Sequence, residues 1–107
     1  MIAFIETESF SKQADEYWTR EHLSALKDIL TVRPDAGAII PKGKGLRKIR
    51  VSMPGRGKRG GGRVIYYWKV NRDTILLLRM YTKNRKADLS QTELKELIHE
   101  RDEIIGK

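Results

Sequence analysis

The chain has 107 residues, a net charge of +8 and no cysteine. The lack of cysteine excludes disulfides, thiolate catalysis and cysteine metal sites, and it fits a reducing compartment. The N-terminal stretch MIAFIETESF has neither the basic start of a signal peptide nor a membrane-length apolar run, so we expect a cytoplasmic protein with one domain over residues 1–107.

The cations are concentrated in the middle of the chain. Residues 36–72 contain eleven Lys or Arg and no Asp or Glu, whereas residues 1–35 contain four cations and seven acids. A segment of this kind either stays solvated or binds a polyanion, and nucleic acid is the commonest polyanion in a cytoplasm. The charge alone leaves both alternatives open.

The N-terminal third predicts one strand and two helices. IAFIE is a short apolar run typical of a buried strand. Ser9 or Ser11 is placed to cap a short helix, and Thr19 is placed to cap a second helix that ends before Pro34. The second helix has one apolar stripe, formed by Leu23, Leu26, Ile29 and Leu30. The connection PDAGAIIPKGKG then reads as turns.

Three runs with strand-like alternation follow and predict an antiparallel meander. Within LRKIRVSM, one face carries Leu46, Lys48 and Arg50. Within RVIYYWKV, one face carries Arg63, Ile65 and Tyr67, and the other carries Val64, Tyr66 and Trp68. Within TILLLRMYTK, one side carries Leu77, Arg79, Tyr81 and Lys83.

The chain closes with a predicted helix. Ser90 followed by Glu93 is a capping box, and the helix has an apolar face formed by Leu94, Leu97, Ile98, Ile104 and Ile105. The predicted order is β-α-α-β-β-β-α, which is an α+β fold with a small antiparallel sheet packed on helices.

The three runs predict a basic surface, because their cations and Tyr81 fall on one face of the meander. We expect helices to cover only the other face. Phosphates bind Lys and Arg, and splayed bases stack on aromatic rings, so this surface suits single-stranded RNA. Tyr66 and Trp68 are expected in the core, whereas Tyr67 and Tyr81 fit either setting. The candidate RNA-binding residues are Arg47, Arg50, Arg56, Lys58, Arg59 and Arg79.

The glycine-rich loop before Arg63 is open to a nucleotide-binding reading. Residues 55–60 satisfy G-x-G-x-x-G, but a strand follows where a dinucleotide site needs a helix N-terminus, and no G-K-[ST] is present. The alternative is a charged hairpin loop without further function.

Other catalytic classes are disfavoured by residue placement. His22 and His99 lie on predicted helices away from the basic strands, and no carboxylate occurs between Asp35 and Asp73, which disfavours a two-metal nuclease. Phosphoryl transfer assisted by cations, without metal or cofactor, remains. A lysine crowded by arginines is a candidate base for a ribose 2′-hydroxyl.

The segments GLRKIRV, GRVIYYW, LLLRMYTKN and ADLSQTELKEL, in this order, resemble the RelE/HigB toxins of bacterial toxin-antitoxin modules, especially a HigB-like branch. The similarity is most specific over residues 45–97. It implies a RelE-like fold and a ribosome-dependent endoribonuclease that cuts mRNA, inhibits translation and is silenced by an antitoxin encoded beside it.

The resemblance also implies roles for individual residues. Arg63 takes the place of the arginine that binds the scissile phosphate, and Lys48 and Arg50 take the basic positions of the preceding strand. Lys48 or Lys83 is the expected base, Arg50 and Arg79 neutralise neighbouring charge, and Tyr81 stacks or donates a proton.

The sequence departs from the family pattern after the last strand. Asn84 replaces an arginine, and Leu89 and Ser90 lie where a tyrosine is expected. Two alternatives stay open: a ParE-like gyrase inhibitor with the same architecture, and a non-catalytic module that binds RNA or the ribosome.

Overall fold

The computed structural model describes residues 2–53, 61–71, 73–82 and 89–106, with the backbone only at residues 69 and 70. The elements are β1 (Ala3–Glu6), α1 (Glu8–Tyr17), α2 (Arg20–Val32), β2 (Ala38–Ile39), β3 (Leu46–Val51), β4 (Gly62–Val70), β5 (Thr74–Thr82) and α3 (Gln91–Ile105). No helix in these ranges combines the length and apolar character needed to cross a membrane.

The strands form one five-stranded sheet in the order β1-β5-β4-β3-β2. Strands β2 to β5 pair antiparallel, as the meander predicted. In contrast, β1 pairs parallel with β5, so the sheet is mixed. The prediction of a buried first strand is wrong, because β1 lies at the sheet edge with Ile5 exposed. The connection predicted as turns contains the short strand β2.

Helices cover both faces of the sheet, which corrects the expectation of one open face. The first core cluster joins α1 and α2 to the sheet through residues such as Phe10, Leu30 and Tyr66. The second cluster lies on the opposite face, where Leu94 and Leu97 of α3 pack on Leu46, Ile65, Leu76 and Leu78. The α+β prediction is confirmed, and part of the face predicted to be open carries α3.

Side-chain caps start all three helices. Thr19 and Ser90 cap α2 and α3 as predicted, but α1 is capped by Thr7, and Ser9 and Ser11 lie inside it. The Thr7 Oγ1 accepts a hydrogen bond of 3.0 Å from the Phe10 amide. The predicted apolar faces are only partly buried, since Ile29 of α2 and Ile104 of α3 are exposed.

A bulge in β5 sets which side chains face each side of the sheet. Ile65 pairs with Arg79 and Tyr66 pairs with Leu77, so Leu78 is an extra residue. As a result Leu77 lies in the first core cluster, while Arg79 and Tyr81 lie on the opposite face. The prediction that Leu77 shares a side with these two residues is therefore wrong.

The bulged carbonyl is fully satisfied by local donors. The Leu78 carbonyl accepts a hydrogen bond of 2.7 Å from the Thr7 hydroxyl and one of 2.8 Å from the Arg79 guanidinium. A buried carbonyl without a partner would cost free energy, so these two donors stabilise the irregular strand. Thr7 thus both caps α1 and holds the bulge.

The loop that leads to β2 is held by a buried tyrosine. The Tyr66 hydroxyl donates to the Pro34 carbonyl and accepts from the Gly37 amide, each at 2.8 Å. Burial raises the pKa of this hydroxyl above its usual value of 10.0, against the smaller lowering effects of the Gly37 amide and Arg47. Because the folded state favours the neutral phenol, this contribution to stability is present below pH 10 and is lost as the pH rises through the folded pKa.

We predict that Tyr66→Phe lowers the free energy of unfolding by about 1–3 kcal/mol, because the Gly37 amide loses its acceptor. Urea titration at pH 7 measures this loss. The difference from wild type should shrink above about pH 10, where the wild-type phenol begins to ionise in the unfolded chain. Tyr67→Phe is the matched control, and equal losses in both variants would contradict the assignment.

Candidate nucleic-acid interface

Strand register brings the predicted cations together on one face. Arg50 pairs with Arg63, and Arg63 pairs with Tyr81, which forms one row across three strands. The next row on this face contains Ala38, Lys48, Ile65 and Arg79. Directly opposed side chains have Cβ atoms about 4.5–5.5 Å apart. The predicted convergence of these side chains is therefore confirmed, while their roles stay predictions.

The cationic part of this face borders an open cavity of about 460 Å³. The described residues that line this cationic cavity are Ala36, Ala38, Lys48, Ile49, Arg50 and Arg63, with no carboxylate among them. Two like charges directly opposite each other destabilise a sheet. A bound phosphate between Arg50 and Arg63 would turn this repulsion into two attractive contacts, and arginine binds phosphate well with its planar fork of donors.

The opposite end of the face is acidic. The Arg79 Nη1 lies 2.9 Å from the Glu100 Oε1 of α3, and both side chains are about one-third exposed. Glu93 and Glu96 of α3 line a small cleft beside Arg79 and Tyr81. The charge of Arg79 is thus already compensated within the protein, so Arg79 is a weaker site for a phosphate than the sequence predicted.

The sequence contained a signal for this acidic end. Glu93, Glu96 and Glu100 are spaced by three and four residues, which places them on one side of a helix. Their approach to the sheet depends on α3 packing across the face that was predicted to be open.

Arg47 does not share the basic face. It pairs with Tyr66 and Ile39, and its guanidinium donates to the Gly37 carbonyl at 2.7 Å and to the Asp35 carbonyl at 3.3 Å. These bonds hold the loop before β2 against β3. Arg47 has a structural contact here, and we do not carry its predicted RNA-binding role forward.

Several predicted site residues lie outside the described ranges. These are Lys83, a candidate base, Asn84, at the departure from the family pattern, and the loop cations Arg56, Lys58 and Arg59. Leu89 is described and lines the cleft with Tyr81, and Ser90 caps α3. Within the described ranges, Tyr81 therefore supplies the phenol next to Arg63.

The other aromatic residues and the histidines have structural settings. Tyr66 and Trp68 pack with the first core cluster, as predicted. Tyr67 packs in the second cluster beneath Arg101, whose guanidinium lies 4.4 Å from the ring centroid. His22 contacts the Thr19 cap, and His99 lies 3.6 Å from Glu103, so neither histidine is in the cross-strand rows.

Arg101 was not singled out from the sequence. Its side chain is almost fully buried, and it donates to the Lys44 carbonyl at 2.7 Å and to Asp102 at 2.8 Å. It thereby braces α3 against the turn before β3. A buried arginine that is paired and hydrogen-bonded in this way serves the fold and not the basic face.

A five-stranded mixed sheet with helices on both faces and a row of opposed arginines defines a small α+β protein suited to bind a polyanion. The model of one protein family, described as the RelE toxin of the RelE/RelB toxin-antitoxin system, matches residues 5–103. The chain belongs to this family of toxins, whose members generally inhibit translation as mRNA interferases, and membership implies an antitoxin partner.

We predict unequal contributions of two arginines on the basic face to RNA binding. Replacing Arg63 with Ala should reduce the slope of log affinity against log salt for a single-stranded RNA by about 0.7, the value for one phosphate contact. Replacing Arg79 with Ala should change the slope much less, because Glu100 already compensates that charge. Fluorescence anisotropy over a salt series measures both slopes, and a larger change for Arg79→Ala would contradict this charge distribution.

Proposed function

We propose that the chain is a single-domain, metal-independent endoribonuclease of the HigB-like branch that cuts mRNA at the ribosome in the cytoplasm. A cognate antitoxin neutralises it. The observation that carries this proposal is the directly opposed pair Arg50 and Arg63 beside Lys48, in a cavity whose described lining has no carboxylate. Family membership supports the same class of activity.

The proposed reaction is an in-line transfer at phosphorus. A base removes the proton from the ribose 2′-hydroxyl, the 2′-oxygen bonds to phosphorus, and the bond to the 5′-oxygen breaks. The products are a 2′,3′-cyclic phosphate and a 5′-hydroxyl, so no water or redox partner is consumed. Arg63 binds the scissile phosphate, and Arg50 stabilises the charge that develops on its oxygens.

The proton carriers are assigned from position. Lys48 lies in the row next to Arg63 and Arg50, and it is the described candidate for the base, with Lys83 as the alternative. Tyr81 is directly opposite Arg63 and is placed to stack on a base or to protonate the leaving 5′-oxygen. Arg56, Lys58 and Arg59 keep their predicted role in binding the RNA backbone.

Arg63→Ala should reduce mRNA cleavage by about a hundredfold or more, since it removes a charged donor from the transition state. Primer extension on a defined message with purified ribosomes measures the cuts, and circular dichroism checks the fold. Arg33→Ala, which removes an exposed cation at the end of α2, is the matched control and should cleave normally.

The same experiment separates the alternative functions. Cuts that depend on the ribosome and on Arg63 support the proposal. A DNA damage response in cells, without mRNA cuts, would replace it with gyrase inhibition. Ribosome or RNA binding with neither cuts nor DNA damage would replace it with a non-catalytic module.

Lys48→Arg distinguishes the two candidate bases. The substitution keeps the positive charge, but a guanidinium stays protonated and cannot accept the 2′-hydroxyl proton. We expect RNA affinity within about twofold of wild type and cleavage reduced by about a hundredfold or more. Single-turnover cleavage from pH 6 to 9 measures the effect, and wild-type rates in the variant would assign the base to Lys83.

A further inference from the structure

An apolar groove lies between α2 and β3, on the side of the sheet that carries the first core cluster. Its volume is about 240 Å³. Trp18, Ala25, Ile29, Ile49 and Val51 form its apolar walls, and Arg50 lies at its rim. Helix α2 turns Leu26 and Leu30 into the core, whereas Ile29 is 52% exposed. A large apolar side chain that is half in water beside an apolar groove is typical of a surface that binds a partner.

The groove follows an open edge of the sheet. Strand β2 pairs only with Arg47 and Lys48 of β3 in the described register, so Ile49–Val51 extends past β2 and forms the sheet edge there. The Trp18 indole donates to the Ser52 carbonyl at 3.0 Å, which fixes the start of α2 to the end of β3. The walls of the groove are thus held in place by the fold itself.

The groove is continuous with the cationic cavity. Ile49 and Arg50 line both, and the cationic cavity also contains Lys48 and Arg63. Any segment that fills the groove therefore ends next to Arg50. Since residues 36–72 contain no acid, the charge complement to this region has to come from the occupant.

We propose that this groove is the docking site of the cognate antitoxin. The occupant is a segment with apolar side chains against Ile29 and Ile49 and a carboxylate at Arg50. Membership of a toxin-antitoxin family supplies the partner, and the shared wall explains the choice of site. The carboxylate would take the anion position between Arg50 and Arg63, so antitoxin and RNA would compete. That competition rests on the proposed function, whereas the docking does not.

Two substitutions on one helix test the docking. The probe is the purified antitoxin expressed from the reading frame adjacent to that of the toxin. Ile29→Glu puts a charge into the groove and should weaken antitoxin binding by a hundredfold or more in isothermal titration. Val32→Glu changes a neighbouring apolar residue that is 81% exposed and does not line the groove, so it should bind within threefold of wild type.

Both variants should bind single-stranded RNA as wild type does, because neither residue lies in the cationic rows. Equal antitoxin affinity for Ile29→Glu and wild type would overturn the docking site. A loss of the same size for Val32→Glu would also overturn it, because the groove would then not be the determinant.

Hydrogen exchange locates the partner independently. Antitoxin binding should protect amides of α2 and of β3 near Ile49, and single-stranded RNA added in excess should displace the antitoxin. Protection confined to α3 or β1 would overturn the proposal, as would a toxin dimer that buries the groove in the absence of antitoxin. If the toxin cleaves no RNA but α2 and β3 are protected, the proposed function fails while the docking site stands.

Discussion

The basic face depends on one irregularity, the extra residue Leu78 in β5. With regular pairing after Tyr66 and Leu77, Met80 would lie opposite Arg63, and Tyr81 would point into the first core cluster. The bulge reverses this arrangement over a single residue. It is kept in place because Thr7 and Arg79 satisfy the Leu78 carbonyl, and Thr7 is itself fixed as the cap of α1. A short polar side chain at the start of a helix thus sets the chemistry of a strand on the other side of the core.

The face that carries the cations is divided between packing and binding. Toward Leu46 and Leu76 it is apolar and covered by α3, and toward Arg50 and Arg63 it is open and positive. Along the row direction, Glu100 neutralises Arg79 on β5, whereas the described lining around Lys48 has no acid. The positive potential is therefore narrow and directed to the β3–β4 side, which favours one backbone path for a bound polyanion over a diffuse basic patch.

Local signals in the sequence predicted most elements, and the predictions that failed concern long-range packing. The capping residues Thr19 and Ser90, the alternation of the three strands and the burial of Tyr66 depend on neighbours in the chain, and all are confirmed. The Leu78 bulge has no glycine or proline to mark it within TILLLRMYT, since its partner Thr7 is far away in sequence. The acidic end of the basic face was missed for the same kind of reason, because the position of α3 on the sheet is a tertiary property.

The bond between Thr7 and Leu78 spans 71 positions of the chain, and β1 pairs with β5 across a similar separation. Contacts this remote close large loops and are expected to form late in folding. The side-chain phase that places Tyr81 beside Arg63 is therefore acquired only after most of the polypeptide has been made. A ribosome that synthesises this chain would carry a harmless fragment for nearly the whole of translation, and toxicity would arise as a property of the finished molecule.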